Sequence, residues 1–254
     1  MRLRFLELSP DERQIYIEEA ARRRNIAPVM IEKDFWVCWM LALLFDSRFG
    51  DALVFKGGTS LSKVFGVIDR FSEDIDLSVS PAFLGLSEAD PASRTQADKW
   101  MKDAEAACAT AVNDQLRPEF EKTAVEVLGD RAEAWFEFVI DEATKSPLLL
   151  FRYPTTQPGG FKYLRRIVKL EFGSLTEQKP TERYPVRPWI ADVLTEPFND
   201  WKCHVLALDV HRTFWEKATI LHSEYHRSLD KPMPDRFSRH YADTVRPTSA
   251  PCLR

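Results

Sequence analysis

The sequence reads as an α+β chain, a sheet flanked by helices, on three observations. Helical stretches open the chain and return near its end. Short apolar runs bounded by turn residues recur between Ala52 and Leu208. One of them, Ile75, Leu77 and Val79, alternates strictly with Asp74, Asp76 and Ser78. At 254 residues, 44% hydrophobic and 29% charged, the chain can bury a sizeable core, as one large domain or a domain with an appendage.

Composition excludes several classes. No apolar run reaches the roughly 18 residues of a membrane span, so no membrane partner is expected. Acids enter by Glu7, too early for a secretory signal. Cys38, Cys108, Cys203 and Cys252 are far apart and form no CxxC pair. They suit reduced thiols in a cytoplasmic protein and not a zinc site. The net charge of −4 argues against indiscriminate nucleic-acid binding but leaves room for a local basic surface.

Taken in order, Ser9-Pro10-Asp11-Glu12 is a helix start, with Ser9 as N-cap, and predicts a helix to about Arg24. Pro28 opens a second, Val29 to Phe45. Its Phe35, Trp36, Trp39, Met40, Leu43 and Leu44 form a wide apolar stripe that reads as core, not as a base-stacking surface. Ala52 to Phe55 reads as a buried strand, broken by Gly57-Gly58. Thr59 or Ser60 is then expected to cap a helix carrying Leu61, Val64 and Phe65. Free backbone N–H groups beside two glycines make a phosphate seat, and Lys56 adds positive charge. An ordinary strand–turn–helix connection has the same letters.

On the next strand, alternate side chains share a face, so Asp74 and Asp76 point the same way. Their Cα atoms lie about 6–7 Å apart, a spacing that chelates one Mg²⁺ or brackets two ions about 4 Å apart. A solvated strand face is the plainer reading. Yet Asp is depleted in strands and like charges on one face repel, so something positive must offset the pair.

Pro81 to Ala92 reads as a loop. Residues 93–129 read as helical, broken only by Pro118 and closed by Gly129. Trp135 to Ile140 and Pro147 to Phe151 read as strands, and Thr155 to Gly160 as a turn. Leu164 to Phe172 predicts a strand with Val168, Leu170 and Phe172 on one face and Lys169 and Glu171 on the other, where a Lys–Glu pair on a wet strand is the plainer reading. Residues 177–201 look Pro-rich and irregular. Their Lys179, Arg183 and Arg187, with Lys162, Arg165 and Arg166, are candidates for a basic groove. His204 to Leu208 reads as a strand and Asp209 to Arg227 as a helix. The apolar stripe of that helix is Val210, Phe214, Ala218, Leu221 and Tyr225, with Lys217 at its border. His204, His211, His222 and His226 form no HExxH pattern and read as surface or RNA-facing residues.

Lys56-Gly-Gly-Thr-Ser-Leu-Ser-Lys63 followed by Arg70-Phe-Ser-Glu-Asp-Ile-Asp-Leu77 resembles the AbiEii/AbiGii toxin family, nucleotidyltransferases of the DNA polymerase β-like superfamily. Ile31 to Trp39, Phe172-Gly-Ser-Leu175, Arg212-Thr-Phe-Trp-Glu-Lys217 and Phe237 to Asp243 resemble the same family, so the likeness spans roughly residues 28–243. It implies a nucleotidyltransferase fold with a mixed β-sheet flanked by helices. Residues 1–208 would be that domain with its N-terminal helices, and residues 209–254 a C-terminal helical region. The tail Arg246 to Arg254 has no helical period and departs from the family, which implies a truncated C-terminus.

The resemblance also assigns roles. Asp74 and Asp76, with Glu171 as third carboxylate, would bind Mg²⁺ or Mn²⁺. Lys56, Gly57, Gly58, Thr59 and Ser60 would hold the NTP, and Lys217 would contact its phosphates. Asp243 would be the last active-site acid. The implied acceptor is a tRNA 3′ end, whose modification blocks translation, and the implied partner is an antitoxin in a toxin–antitoxin or phage-defence system. Two alternatives remain open: γ-phosphoryl transfer to a protein or to Ser60 itself, and an inactive remnant that only binds nucleotide, RNA or antitoxin.

Overall fold

The computed structural model describes residues 3–68, 71–86, 92–142, 144–157, 166–175, 177–228, 230, 233 and 237–245. The tail from Arg246, the Cys252 thiol, and Lys162 and Arg165 of the expected basic groove lie outside them. Helices α1 (Arg4–Glu7), α2 (Pro10–Arg24) and α3 (Pro28–Asp46) lead into β1 (Leu53–Lys56), α4 (Gly57–Lys63) and β2 (Ile75–Val79). Then come α5 (Arg94–Ala111), α6 (Arg117–Leu128), β3 (Phe136–Ile140), β4 (Pro147–Phe151) and β5 (Val168–Gly173). The chain continues with β6 (Thr181–Pro185), α7 (Trp189–Val193), β7 (His204–Leu208), α8 (Val210–Tyr225) and α9 (Ser238–Val245).

The strands form one mixed sheet in the order β3-β4-β5-β2-β1-β7-β6. Its centre mixes directions: β2 runs antiparallel to β1 and parallel to β5, and β1 runs parallel to β7. Alternation explains the faces. Ile75, Leu77, Val79, Val168, Leu170 and Phe172 are all fully buried, while Asp76, Lys169 and Glu171 project from the opposite face. No described helix is long and apolar enough to cross a membrane.

Local chemistry sets the helix boundaries. The Ser9 hydroxyl accepts from the Glu12 N–H at 3.3 Å, and Glu12 Oε2 accepts from the Ser9 N–H at 2.9 Å, a reciprocal capping box. Asn25, at φ 54°, ends α2 in the left-handed conformation. Helices α5 and α6 continue one another through a π turn at Val112–Leu116, which accommodates Pro118 at the start of α6. Three expectations need correction. Residues 177–201 are not irregular: Thr181–Pro185 is the edge strand paired with β7, and Trp189–Val193 is helical. Buried positions of α8 are Val210, Thr213 and Lys217, whereas Tyr225 is 83% exposed. Lys217 thus lies within the packed face, not at its border.

Helix α3 is the spine of the core. From Ile31 to Phe45 every side chain is buried, so the apolar surface is continuous around the helix and not a stripe. Trp36 and Trp39 pack against Phe151 of β4. Three consecutive charges, Glu32, Lys33 and Asp34, are buried with them. Each is paired. Glu32 accepts from the Thr155 hydroxyl and the Thr156 N–H, both at 2.6 Å. Lys33 pairs with Glu73, one residue before Asp74. Asp34 pairs with Lys63, the last residue of α4, and accepts from the Trp189 N–H at 2.7 Å. Burial lowers the Lys63 ammonium, but Asp34, Cys38 and Asp192 together hold it above its ordinary value.

Removing one partner of such a pair strands the other charge in the core. Lys63→Met is therefore expected to destabilise the chain by about 3–5 kcal/mol, measured by urea unfolding. A loss within about 0.5 kcal/mol would place Asp34 outside the stabilising network.

Candidate active site

Strand β1 delivers the chain to Gly57, whose φ of +78° suits glycine and strains any other residue. A Cβ on Gly57 would lie 1.9 Å from Asp76 Oδ2. The missing side chain is what lets the Asp76 carboxylate lie against the turn. Sheet register puts it there: Lys56 pairs with Asp76 across the antiparallel β1–β2 ladder. On the other side of Asp76, the parallel β2–β5 ladder pairs it with Glu171. Asp74 enters the same cluster just before β2.

These groups open onto a cleft of about 760 Å³. One wall is Lys56, Gly57, Gly58, Asp74, Asp76, Lys169 and Glu171; the other includes Thr213, Glu216 and Lys217 of α8 with Phe237, Arg239 and His240. Helix α8 is fixed against α4 by Val210 packing on Leu61. Lys56 Nζ lies 3.3 Å from Glu216 Oε2, which brings α8 beside the glycine turn. The structure thus gathers Lys56, Gly57, Gly58, Asp74, Asp76, Glu171 and Lys217 around one cleft. Asp243 stands behind Lys217, its fully buried carboxylate 3.0 Å from the ammonium.

Thr59 and Ser60 are placed differently from expectation. Helix α4 begins at Gly57, with Lys56 as N-cap and no side-chain cap, so neither hydroxyl caps it. Both residues are fully buried. Thr59 Oγ1 donates to the Asp74 carbonyl at 2.5 Å and lies 2.8 Å from Ser72 Oγ, tying α4 to the approach of β2. Ser60 Oγ donates back to the Gly57 carbonyl at 3.1 Å. Hydroxyls enclosed in this way are spent on the turn, and neither residue lines the cleft. Nor do Arg166, Lys179, Arg183 and Arg187 line the cleft; Arg183 instead meets Asp51 at 2.5 Å on the edge strand.

Electrostatically the cluster is short of positive charge. Burial first, then the neighbouring Glu171 and Asp74, push the Asp76 carboxyl up to about 6, against the pull of Lys169 and Lys217. Lys169, whose pairing with Glu171 was legible but whose reach to Asp74 was not, supplies one cation. Its ammonium lies 3.1 Å from Glu171 Oε2 and 3.6 Å from Asp74 Oδ2. Arg239 reaches Asp74 at 3.7 Å. Burial lowers the Lys169 ammonium, but Asp74 and Glu171 together hold it above its ordinary value. Among the described residues, no group of three or more carboxylate, imidazole or thiolate side chains is drawn close enough to hold an ion as it stands. The donor chemistry nonetheless fits Mg²⁺ or Mn²⁺. Asp74, Asp76 and Glu171 offer hard oxygen ligands on one face, and the raised Asp76 carboxyl marks a site that a cation would relieve.

Sequence reading also missed Glu216, Arg239 and the buried Lys33–Glu73 and Asp34–Lys63 pairs. The last had a signal: three charges set inside an otherwise apolar helix. Compared with known proteins, residues 39–246 match the family model described as "Nucleotidyl transferase AbiEii toxin, Type IV TA system". No curated protein matches the chain.

A carboxyl raised by folding contributes its stability below the ordinary value of 3.8 and loses it as pH rises through about 6. Asp76→Asn removes that loss. Without added metal, its melting temperature is expected to exceed the parent's at pH 8 and to converge with it below about pH 4. A pH-independent difference would remove the buried-charge explanation.

Proposed function

The chain belongs to the AbiEii nucleotidyl transferase toxin family of type IV toxin–antitoxin systems and is a nucleotidyltransferase, and from that premise we propose how and on what it acts. It transfers a nucleoside monophosphate from an NTP to an acceptor hydroxyl at a tRNA 3′ end and releases pyrophosphate. Loss of that end to aminoacylation blocks translation. The setting proposed is the bacterial cytoplasm, in defence against phage, with a cognate antitoxin as partner.

The observation that carries this reading is the register of the central sheet: Asp76 lies between the Gly57 turn and Glu171. Phosphates carried by that turn would lie against the carboxylates. Backbone N–H groups of Gly57 and Gly58 would receive phosphate oxygens, approached closely because no side chain intervenes. Asp74, Asp76 and Glu171 would hold the divalent ion. Bound Mg²⁺ supplies charge neutralisation of the leaving pyrophosphate and a lowered pKa for the attacking hydroxyl. Lys217 would stabilise charge on the phosphates, with Asp243 holding its ammonium in place. Lys56, bridged to Glu216, adds a second cation at the turn.

The expected result is that the full chain labels total RNA from an α-³²P-NTP, each NTP tried in turn, and that Asp76→Ala reduces labelling to background with the circular dichroism spectrum unchanged. Undiminished labelling by that variant would refute the assignment. Label arriving from γ-³²P-NTP instead would establish phosphoryl transfer.

A further inference from the structure

We propose that the Lys169 ammonium is a resident cation of the acid cluster, occupying the place of a divalent ion and setting how weakly free metal binds. The inference rests on the reading of Asp74, Asp76 and Glu171 as ion ligands. It concerns Lys169, to which that reading gives no role.

A lysine on a strand face ordinarily extends its ammonium into water and leaves only its stem on the protein. Lys169 does the reverse. It shares a face with Glu171 by alternation, and the parallel register brings both beside β2. Its Nζ touches Glu171 on its own strand at 3.1 Å and Asp74, the residue leading into β2, at 3.6 Å. All three side chains are only 23–29% exposed. Arg239, by contrast, comes from α9, is 41% exposed, and among the described residues reaches Asp74 alone. Bridging two acids from neighbouring segments is what a bound ion would do. Lys169 does it with one charge and no fixed coordination geometry.

A divalent ion entering this cluster meets the ammonium at short range, and like charges at a few ångströms repel strongly where solvent is partly excluded. For the ion to bind well, the ammonium must leave its bridge. Free metal therefore gains little. A metal that arrives on a triphosphate brings further anionic oxygens, which offset the displacement. In the absence of ions Lys169 offsets part of the repulsion between Asp74 and Glu171.

The test is Mn²⁺ titrated by calorimetry into the full chain without nucleotide. Lys169→Met is expected to bind Mn²⁺ at least about tenfold more tightly than the parent, and Lys169→Arg, which keeps the charge, to stay within about threefold of it. In EDTA, Lys169→Met should melt below the parent, and excess Mn²⁺ should recover the difference. Asp76→Asn serves as the control for the ligand reading. If it loses Mn²⁺ binding while Lys169→Met binds no more tightly than the parent, the acids are ligands and the inference about Lys169 is overturned. If it binds Mn²⁺ as the parent does, the ligand reading itself falls.

Discussion

The contact between the Asp76 carboxylate and the bare Cα of Gly57 is the constraint on which the site depends. It requires glycine twice over, once for the positive φ and once for space that any Cβ would fill. Because the turn cannot move away without breaking the β1–β2 ladder, the acid and the backbone of α4's first turn are held at one fixed separation. The same ladder continues into β5, so the spacing between Asp76 and Glu171 is also set by backbone hydrogen bonds and not by side-chain rotamers. A transferase that must align a phosphate and a hydroxyl within a fraction of an ångström gains from such a mount.

Helix α3 supports this arrangement from beneath. Its buried Lys33 and Asp34 reach different segments of the site, one to Glu73 beside Asp74 and the other to the end of α4. Apolar residues of similar volume would give at least as much stability as buried ion pairs. What a charge pair adds is direction, since within the apolar core the Lys63 ammonium meets the Asp34 carboxylate. Lys63 is further enclosed by the Trp189 ring, 4.6 Å from its ammonium. The hydrophobic spine and the alignment of the acids are therefore one structure.

Much of this was legible in the sequence. The period-two patterns of residues 74–79 and 168–172 give the faces of Asp74, Asp76 and Glu171 directly. The Gly57-Gly58 break marks the end of β1, and Ser9 with Pro10 marks the start of α2. What was not legible concerns partners distant along the chain. Lys169 reads as the partner of Glu171 on a wet strand face until the β2–β5 register sets it against Asp74 as well. Thr59 and Ser60 read as caps because Ser and Thr favour that position. With Lys56 as N-cap and Gly57 left-handed, the helix starts three residues sooner than a Thr59 cap would set it, and both hydroxyls turn inward. Edge strand β6 escaped notice because Pro180 and Pro185 surround a polar segment whose only partner is β7.

The order in which the chain is made gives the sheet topology a further meaning. Gly57, Asp74 and Asp76 emerge early from the ribosome, whereas β5 brings Glu171 much later and α8 brings Lys217 later still. The β2–β5 ladder forms only once β5 has been made, and a one-residue slip there would turn Glu171 into the core. A nascent or misregistered copy thus lacks the complete set of groups that line the cleft.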